Sequence, residues 1–146
     1  VHMAQVNGIN MIEHHSFEAF NETTRLKISI LKHENQFGKL SHLAADGIYP
    51  TNKNRKHCSK KGIQTNFVRK GGGKDDKATK QIKVLLNKER STRLEGSFGT
   101  EKEHYLLKKI KAKTPATQII WMMFGVLTAN AVNMAKRRTK PIQKAA

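Results

Sequence analysis

The sequence predicts an α/β fold, in which flanking helices pack on a mixed β-sheet. The first half of the chain alternates short strand-like runs with helical patterns, and long helical patterns dominate from residue 78 onward. Alternating strands and helices are typical of layered α/β architectures. The chain has 146 residues, which is enough for one domain with a hydrophobic core.

The first predicted element is a β-hairpin. Residues 1–6 alternate loosely between apolar and polar side chains, and Asn7-Gly8 separates them from a second strand-like run, "INMIEHHSF". Asn-Gly is the strongest short-range signal for a two-residue hairpin turn, because both positions need a positive φ. The hairpin starts at residue 1, so we expect the sheet to be truncated at its first strand.

A helix and a buried strand are predicted next. Leu26, Ile30 and Phe37 share one helical stripe, and Gly38 marks the end of that helix. The apolar run "LSHLAA" then suits a buried strand that ends at Asp46. Asp46 therefore stands where the chain leaves the predicted sheet.

The same order repeats downstream. Thr51 is placed to cap a basic helix that Gly62 ends, and "IQTNFV" is the next predicted strand. The three glycines of "RKGGGKDDK" predict a flexible loop. A long helical pattern begins at Ala78, and we expect it to bend near "KERST" before it continues.

The most apolar stretch is "TQIIWMMFGVLTANAVNM", residues 117–134. It contains Gln118, Thr128, Asn130 and Asn133, and its uninterrupted apolar part is shorter than the roughly 20 residues that span a bilayer. The stretch therefore predicts a buried helix that covers one face of the sheet. We expect no membrane partner.

The charge of the chain indicates a polyanionic partner. Lys and Arg number 28 against 11 Asp and Glu, and the formal net charge is +17. Such an excess repels itself in the compact state and favours binding to nucleic acid. Because the basic residues are spread along the whole chain, nucleic acid is favoured over a membrane surface. A ribosomal-type basic protein and a merely solvated basic surface also fit the composition.

Cysteine usage and the first residues exclude other classes. The single cysteine, Cys58, excludes an internal disulfide and a cysteine-rich zinc site, and the seven histidines follow no metal-ligand spacing. The first residues lack the charged start and apolar core of a signal peptide, so we expect a cytoplasmic protein.

Two carboxylates are prominent in this basic chain. Asp46 ends a predicted strand, and α/β sheets commonly bind ligands at the carboxyl ends of their strands. Gly47, the next residue, allows a ligand to approach the backbone closely. Glu95 and Lys102 lie seven residues apart, so both project from one helix face, about 10 Å apart along the axis. A carboxylate and an ammonium group in this arrangement suit a divalent cation and a phosphate.

Two glycines interrupt the helix beside Glu95. Gly96 and Gly99 each cost about 1 kcal/mol relative to alanine in a helix interior. Glycines thin the helix surface, which leaves room for a nucleic-acid backbone. Taken alone, Asp46 also fits a simple turn residue, and the helix of Glu95 also fits an ordinary charged surface.

Both carboxylates stand in extended motifs. Asp46, Tyr49 and Asn54 fit an "AD-x-x-Y-x-x-x-x-N" pattern, and the segment from Leu94 to Tyr105 fits "IEG-x-FG-x-x-K-x-x-Y", with leucine in the first position. Together with "HHSFEAFNET", and in this order, these segments resemble the carboxyl half of bacterial insertion-sequence transposases of the DDE type. The resemblance covers nearly the whole chain.

The resemblance implies a partial RNase H-like catalytic domain over residues 1–135 and a basic, disordered tail over residues 136–146. In that family two aspartates and a glutamate hold two Mg²⁺ ions, which activate a water or a 3′-hydroxyl for attack on a DNA phosphate. Asp46 and Glu95 would be two of these three carboxylates. The implied partners are transposon-end and target DNA and, in the intact enzyme, further copies of the chain. The implied location is the bacterial cytoplasm, at the nucleoid.

DNA contacts are expected near both carboxylates. Lys102 resembles the lysine that positions DNA next to the catalytic glutamate, and Gly96 and Gly99 would then leave room for the substrate. The other expected contacts are Arg90, Arg93 and Tyr105 around Glu95, and the basic run Lys53, Arg55, Lys60, Lys61, Arg69 and Lys70. That run also fits a solvated face.

The sequence departs from the family pattern at two points. The family's first aspartate precedes the hairpin, and residues 1–10 contain no acidic residue. Ser91 occupies the position of an arginine that commonly stands four residues before the glutamate, although Arg90 and Arg93 flank it. A site with fewer carboxylates binds Mg²⁺ poorly. We therefore expect a partial or inactive fragment that keeps DNA binding.

Two other functions stay open at this point. A nuclease with an RNase H-like core would use the same carboxylates and cut DNA without joining it. A non-catalytic basic nucleic-acid-binding protein would use neither Asp46 nor Glu95.

Overall fold

A computed structural model describes residues 1–71 and 73–139 of the chain. The chain forms two compact units. One unit is Glu18–Arg93, and the other, which we call the hairpin unit, combines Val1–Phe17 with the chain from Leu94 onward. Gly72, in the predicted loop, and residues 140–146, in the predicted tail, lie outside the described residues.

The described strands form two separate pairs. β1 (His2–Val6) and β2 (Ile9–His14) pair antiparallel, and β3 (His42–Leu43) and β4 (Gln64–Thr65) pair in parallel. The helices are α1 (Leu26–Phe37), α2 (Asn52–Lys61), α3 (Lys77–Glu89), α4 (Gly96–His104) and α5 (Pro115–Thr139). Helices with small sheets are compatible with the predicted α/β class, but the strands form two pairs where one mixed sheet was expected.

The core of Glu18–Arg93 lies between α1, α2 and the β3–β4 pair. Leu26 and Ile30 of α1 are buried, as their shared stripe predicted, whereas Phe37, the third residue of that stripe, is exposed at the end of the helix. They pack with buried side chains from the following segments, namely Tyr49, Cys58, Ile63 and Phe67. Burial also raises the pKa of the Cys58 thiol. Cys58 therefore serves this core as a small apolar side chain.

Helix α2 begins and ends where the sequence predicted. The Thr51 hydroxyl accepts a hydrogen bond of 3.2 Å from the backbone N–H of Asn54, which satisfies one free donor of the first turn. Gly62 ends the helix in the left-handed conformation, with φ of +69°. Its backbone N–H donates to carbonyl groups of the last helical turn.

The hairpin of β1 and β2 is confirmed, with Asn7 and Gly8 in its turn. Both residues have positive φ, +49° and +72°, as a two-residue hairpin turn requires. The strands pair from His2 opposite His14 to Val6 opposite Ile9, with an irregularity after His2. In the hairpin, His2 Nδ1 lies 2.5 Å from a carboxylate oxygen of Glu13, and both side chains are largely buried.

Helix α5 is less buried than the sequence predicted. It packs on β2 through one face, where Val126, Ala129 and Asn130 are buried. Some of its other apolar side chains are half-buried, and several are exposed, including Phe124, at 66%, and Leu127. A two-stranded hairpin is too narrow to cover more than one face of a helix.

Helix α5 is long and apolar enough to span a membrane by length and composition alone, a criterion that core helices of soluble proteins meet as well. Residues 136–139 of the predicted tail belong to this helix.

A buried polar network joins the hairpin to α4 and α5. The side-chain amide of Asn10 donates to Glu101 Oε1 at 2.6 Å and to Ser97 Oγ at 3.0 Å. Asn130 accepts from the backbone N–H of Asn10 at 2.9 Å and donates to its carbonyl at 2.7 Å. Glu101 is only 2% exposed, and burial raises the pKa of its carboxyl above the usual value, against the opposing effect of the Asn10 hydrogen bond.

We expect Glu101→Gln to raise the melting temperature at pH 7. Folding raises the pKa of Glu101, so the stability that this group contributes is fully present below its unfolded pKa and is lost as pH rises through its folded value. Glutamine keeps an acceptor for Asn10 without a buried charge. The gain in melting temperature over wild type should therefore shrink as the pH falls towards 4, measured by circular dichroism.

Glu103→Gln provides the matched control for this experiment. Glu103 lies two residues further along α4 and is exposed, so its substitution should leave the melting temperature nearly unchanged across the same pH range. A Glu101→Gln protein that melts below wild type at pH 7 would show that the carboxylate stabilises the fold.

Candidate active site

Asp46 lies three residues beyond the end of β3, in a tight turn. Its Oδ1 atom accepts a hydrogen bond of 2.7 Å from the backbone N–H of Gly47, and its carbonyl accepts one of 3.1 Å from the N–H of Tyr49. The side chain itself is 65% exposed. The turn therefore presents an accessible carboxylate three residues beyond the carboxyl end of the parallel strand pair, whereas the sequence predicted a buried strand that runs up to Asp46.

The other residues of the Asp46 motif shape this turn. Tyr49 is buried, and its hydroxyl donates to Glu22 Oε2 at 3.0 Å. The side-chain amide of Asn54 donates to the carbonyls of Thr23 and Tyr49, each at 2.9 Å. In this motif, Tyr49 and Asn54 anchor the turn and only Asp46 points its functional group towards solvent.

Asn66 fastens the backbone immediately before Asp46. Its Oδ1 atom accepts from the N–H of Ala45 at 3.0 Å, and its Nδ2 atom donates to the carbonyl of Ala45 at 2.8 Å. Nδ2 also donates to Asn87 Oδ1 of α3 at 2.9 Å. The side chain of Asn66 thus ties the ends of β3 and β4 to α3.

Arg90 approaches Asp46 from the end of α3. Its Nη1 atom lies 3.5 Å from Asp46 Oδ1, and its side chain is about a quarter exposed. Arg90 begins a π-helical turn, Arg90–Glu95, in the segment where the sequence predicted a bend. Such turns are rare and occur frequently at functional sites. Arg90, which flanks the position of the family's arginine, is therefore a partner of Asp46 in this structure.

Glu95 ends the π-helical turn, and α4 begins at the next residue. The side chains of Glu95 and Lys102 are both exposed. Apart from the helix itself and chain neighbours, no described residue would lie within 4 Å of a Cβ atom at Gly96 or Gly99. Neither glycine has a positive φ. Packing within the chain therefore does not require glycine at these two positions.

Tyr105 ends α4 and is held next to α5. A Cβ atom at Gly125 of α5 would lie 2.6 Å from the Leu107 side chain and 3.0 Å from the carbonyl oxygen of Tyr105. The Trp121 indole donates to the Leu106 carbonyl at 2.9 Å, and Leu106 has a φ of +60°. Gly125, in contrast to Gly99, is thus required for close packing.

The predicted DNA-contact residues have different surroundings. Arg55 donates to the Pro50 carbonyl at 2.9 Å and lies over the Phe67 ring, at 5.6 Å from its centroid. Lys61 forms an ion pair with Glu34, and Arg93 forms one with Glu89. Arg55 and Lys61 are partly buried by these contacts. The side chains of Lys53, Lys60, Arg69 and Lys70 are exposed, and their contact with DNA stays a prediction.

The carboxylates present an incomplete donor set for a metal ion. Carboxylate oxygens suit Mg²⁺, and Asp46 is accessible to it. Within residues 1–71 and 73–139, however, no three His, Cys, Asp or Glu side chains form a group that could hold an ion. Asp46 belongs to Glu18–Arg93 and Glu95 to the hairpin unit, so their convergence stays a prediction.

Sequence reasoning missed the two asparagines that fasten backbone groups, Asn66 and Asn130. Each stands in a segment that is otherwise largely apolar, "IQTNFV" or "VLTANAVN". A buried polar side chain is nearly always hydrogen-bonded, so an amide within an apolar run was the available signal. That signal does not say which partner an amide binds.

We expect Gly99→Ala to stabilise the chain by about 1 kcal/mol, because alanine is the better helix former and meets no neighbour. Gly125→Ala is the matched control, and overpacking against Leu107 should destabilise the chain by about 1–3 kcal/mol. Urea unfolding measures both free energies. A destabilised Gly99→Ala protein would show that the open space beside α4 is needed within the fold.

Comparison with known proteins identifies the family. A comparison with curated proteins and one with solved structures found no match. The family model described as transposase DDE domain matches residues 43–131. The matched segment contains both predicted carboxylates, Asp46 and Glu95, together with Lys102 and Tyr105. Because the match covers more than half of the chain, this protein belongs to the DDE transposase family.

Proposed function

We propose that this chain provides part of the catalytic domain of an insertion-sequence transposase with an RNase H-like core. In this proposal Asp46 and Glu95 are two of the three carboxylates that hold Mg²⁺ for DNA cleavage and strand transfer. Residues 1–135 belong to that domain, and the basic residues that follow begin with 136–139, the end of α5. The intact enzyme acts at the nucleoid as a homo-oligomer on transposon-end and target DNA, without a membrane partner.

The geometry around Asp46 carries the proposal. Asp46 is an exposed carboxylate three residues beyond the carboxyl end of a parallel strand pair, and α/β sheets commonly bind ligands at the carboxyl ends of their strands. Hydrogen bonds hold its turn on both sides: the buried Asn54 binds the Tyr49 carbonyl, and the half-buried Asn66 binds Ala45. These hydrogen bonds hold the backbone on either side of Asp46 and would limit the orientations of its carboxylate.

The residues take distinct roles in this proposal. Mg²⁺, when bound, would stabilise charge on the phosphate and activate the attacking hydroxyl or water. Asp46 and Glu95 would supply oxygen ligands, and Lys102 would bind a DNA phosphate beside Glu95. Gly96 and Gly99 would allow the DNA backbone to approach α4, since among residues 1–71 and 73–139 none lies within 4 Å of a Cβ atom built at either glycine, apart from the helix itself and chain neighbours.

We expect the chain to bind duplex DNA with a steep dependence on salt, because a net charge of +17 displaces counterions from the phosphates. Lys102→Ala should weaken binding and reduce the slope of log K against log salt by about one. Lys108→Ala removes another exposed lysine, one paired with Glu103, and serves as the matched control. Fluorescence anisotropy with a labelled duplex measures both slopes.

The two glycines extend the same experiment. If they leave room for DNA, the combined Gly96→Ala and Gly99→Ala protein binds DNA more weakly although it is more stable. Asp46→Asn combined with Glu95→Gln should not weaken binding, because the substitutions remove two negative charges. Equal affinities of the Lys102→Ala and Lys108→Ala proteins would contradict the assignment of Lys102.

We expect the 146-residue chain alone to lack DNA-nicking activity in Mg²⁺, since the described residues hold no group of three metal-binding side chains. Conversion of supercoiled plasmid to the open circle provides the measurement. Nicking that depends on Mg²⁺ and is lost in both Asp46→Asn and Glu95→Gln would contradict this expectation.

Two alternatives differ from the proposal in their products. A nuclease with an RNase H-like core would cut DNA but would not join a pre-cut 3′-hydroxyl end to a target, so a joining assay separates it from a transposase. A non-catalytic DNA-binding protein is favoured by the incomplete donor set. In that case the carboxylate substitutions would leave every function of the intact protein unchanged.

A further inference from the structure

We propose that Asn66 is a positioning residue for Asp46. Its side chain continues the hydrogen bonding between β3 and β4 by one step and thereby orients the backbone from which the Asp46 carboxylate projects. The inference rests on the proposed role of Asp46 as a metal ligand and adds a residue that lies outside both sequence motifs.

The first step is the end of the β3–β4 ladder. The N–H of Gln64 donates to the Ser41 carbonyl at 2.9 Å, and the N–H of Asn66 donates to the Leu43 carbonyl at 3.4 Å. The second bond is the longer one, and the register of the two strands ends at Leu43 opposite Thr65. At Ala45, two residues further, the Asn66 side chain takes the place of a backbone partner.

The second step is the chemistry of the side chain. A carboxamide has an acceptor and a donor in one plane, like a peptide group, so it can bind the N–H and the C=O of one residue together. Because Ala45 offers both groups, the amide of Asn66 can lie in only one orientation. Its second N–H is then directed to Asn87 of α3.

The Asn66–Ala45 hydrogen bonds lie next to the Asp46 carboxylate. Asp46 follows Ala45 directly, and its side chain is mostly exposed, so surrounding side chains do little to hold it. Asn87 and Arg90 lie three residues apart at the end of α3, and they reach Asn66 and Asp46 respectively. The end of α3 therefore contacts both the Asn66 side chain and the Asp46 carboxylate.

Asn66 would limit the orientations that the Asp46 carboxylate can take. A metal ligand must be held in place by groups around it, and loss of such outer partners typically costs 10–100-fold in metal affinity. Without Asn66, the Ala45 N–H and C=O would lose their partner, and the turn that contains Asp46 would sample several orientations. The Asn66 amide contributes by limiting these orientations and does not itself contact the metal.

The experiment uses nuclear magnetic resonance to measure weak binding of Mn²⁺ to the exposed Asp46 carboxylate of the 146-residue chain. Mn²⁺ broadens amide signals close to it, so a titration with MnCl₂ followed at Gly47 reports the ion at Asp46 without any enzymatic activity. A wild-type chain in which Gly47 is not broadened would overturn the metal-ligand role of Asp46 and the role of Asn66 together. We expect Asn66→Ala to raise the midpoint of this broadening by about tenfold. Ile30→Val, in the same core, lowers stability but keeps every hydrogen bond of the turn and of Asn66, and it should leave the midpoint unchanged.

Asp46→Asn separates the two proposals. If this variant keeps the broadening of Gly47, the metal-ligand role of Asp46 fails and the role of Asn66 fails with it. If Asp46→Asn abolishes the broadening and Asn66→Ala leaves the midpoint at the wild-type value, only the positioning role is wrong. A midpoint that rises equally in Asn66→Ala and Ile30→Val would also overturn it, because stability alone would then account for the change.

Asn87→Ala provides a milder test if Asn66→Ala does not fold. It removes the link to α3 but keeps both hydrogen bonds between Asn66 and Ala45. The midpoint should rise, by less than the effect of removing Asn66 itself. An unchanged midpoint would overturn the part of α3 in the mechanism.

Discussion

Asparagine side chains complete the hydrogen bonding of strands that have too few neighbours. Both described sheets contain two strands, so much of each strand's backbone faces no partner strand. A buried N–H or C=O without a partner is costly, and a carboxamide can satisfy both groups at once. Asn130 does this for Asn10, and Asn66 does it for Ala45. The helices of each unit are fastened to its strands through these pairs.

The motif around Asp46 combines two residues that hold the turn with one proposed metal ligand. Tyr49 and Asn54 are buried and bind Glu22, Thr23 and the turn itself, while Asp46 is exposed. A rigid turn is useful for a carboxylate that must meet a metal ion and a phosphate, because orientation then costs little entropy on binding. The family motif in this segment therefore contains residues that hold the turn, Tyr49 and Asn54, as well as the proposed metal ligand, Asp46.

Packing places two glutamates of one segment, Glu95 and Glu101, in different environments. Glu95 and Glu101 belong to one charged segment, yet Glu95 is exposed and Glu101 is buried against Asn10. Burial raises the pKa of Glu101, which suits a neutral or hydrogen-bonded structural role. Glu95 stays beside the open space at Gly96 and Gly99. The proposed chemistry therefore belongs to the exposed glutamate and the support to the buried one.

Local chemistry allowed the sequence alone to determine the hairpin at Asn7-Gly8 and the ends of α2, because turns and caps depend on neighbouring residues. The family motifs located Asp46 and Glu95. The partners of Asn66 and Asn130 lie 21 and 120 residues away, and the exposure of α5 depends on the width of the hairpin beneath it. Only the tertiary structure decided these features, since packing alone brings distant residues together.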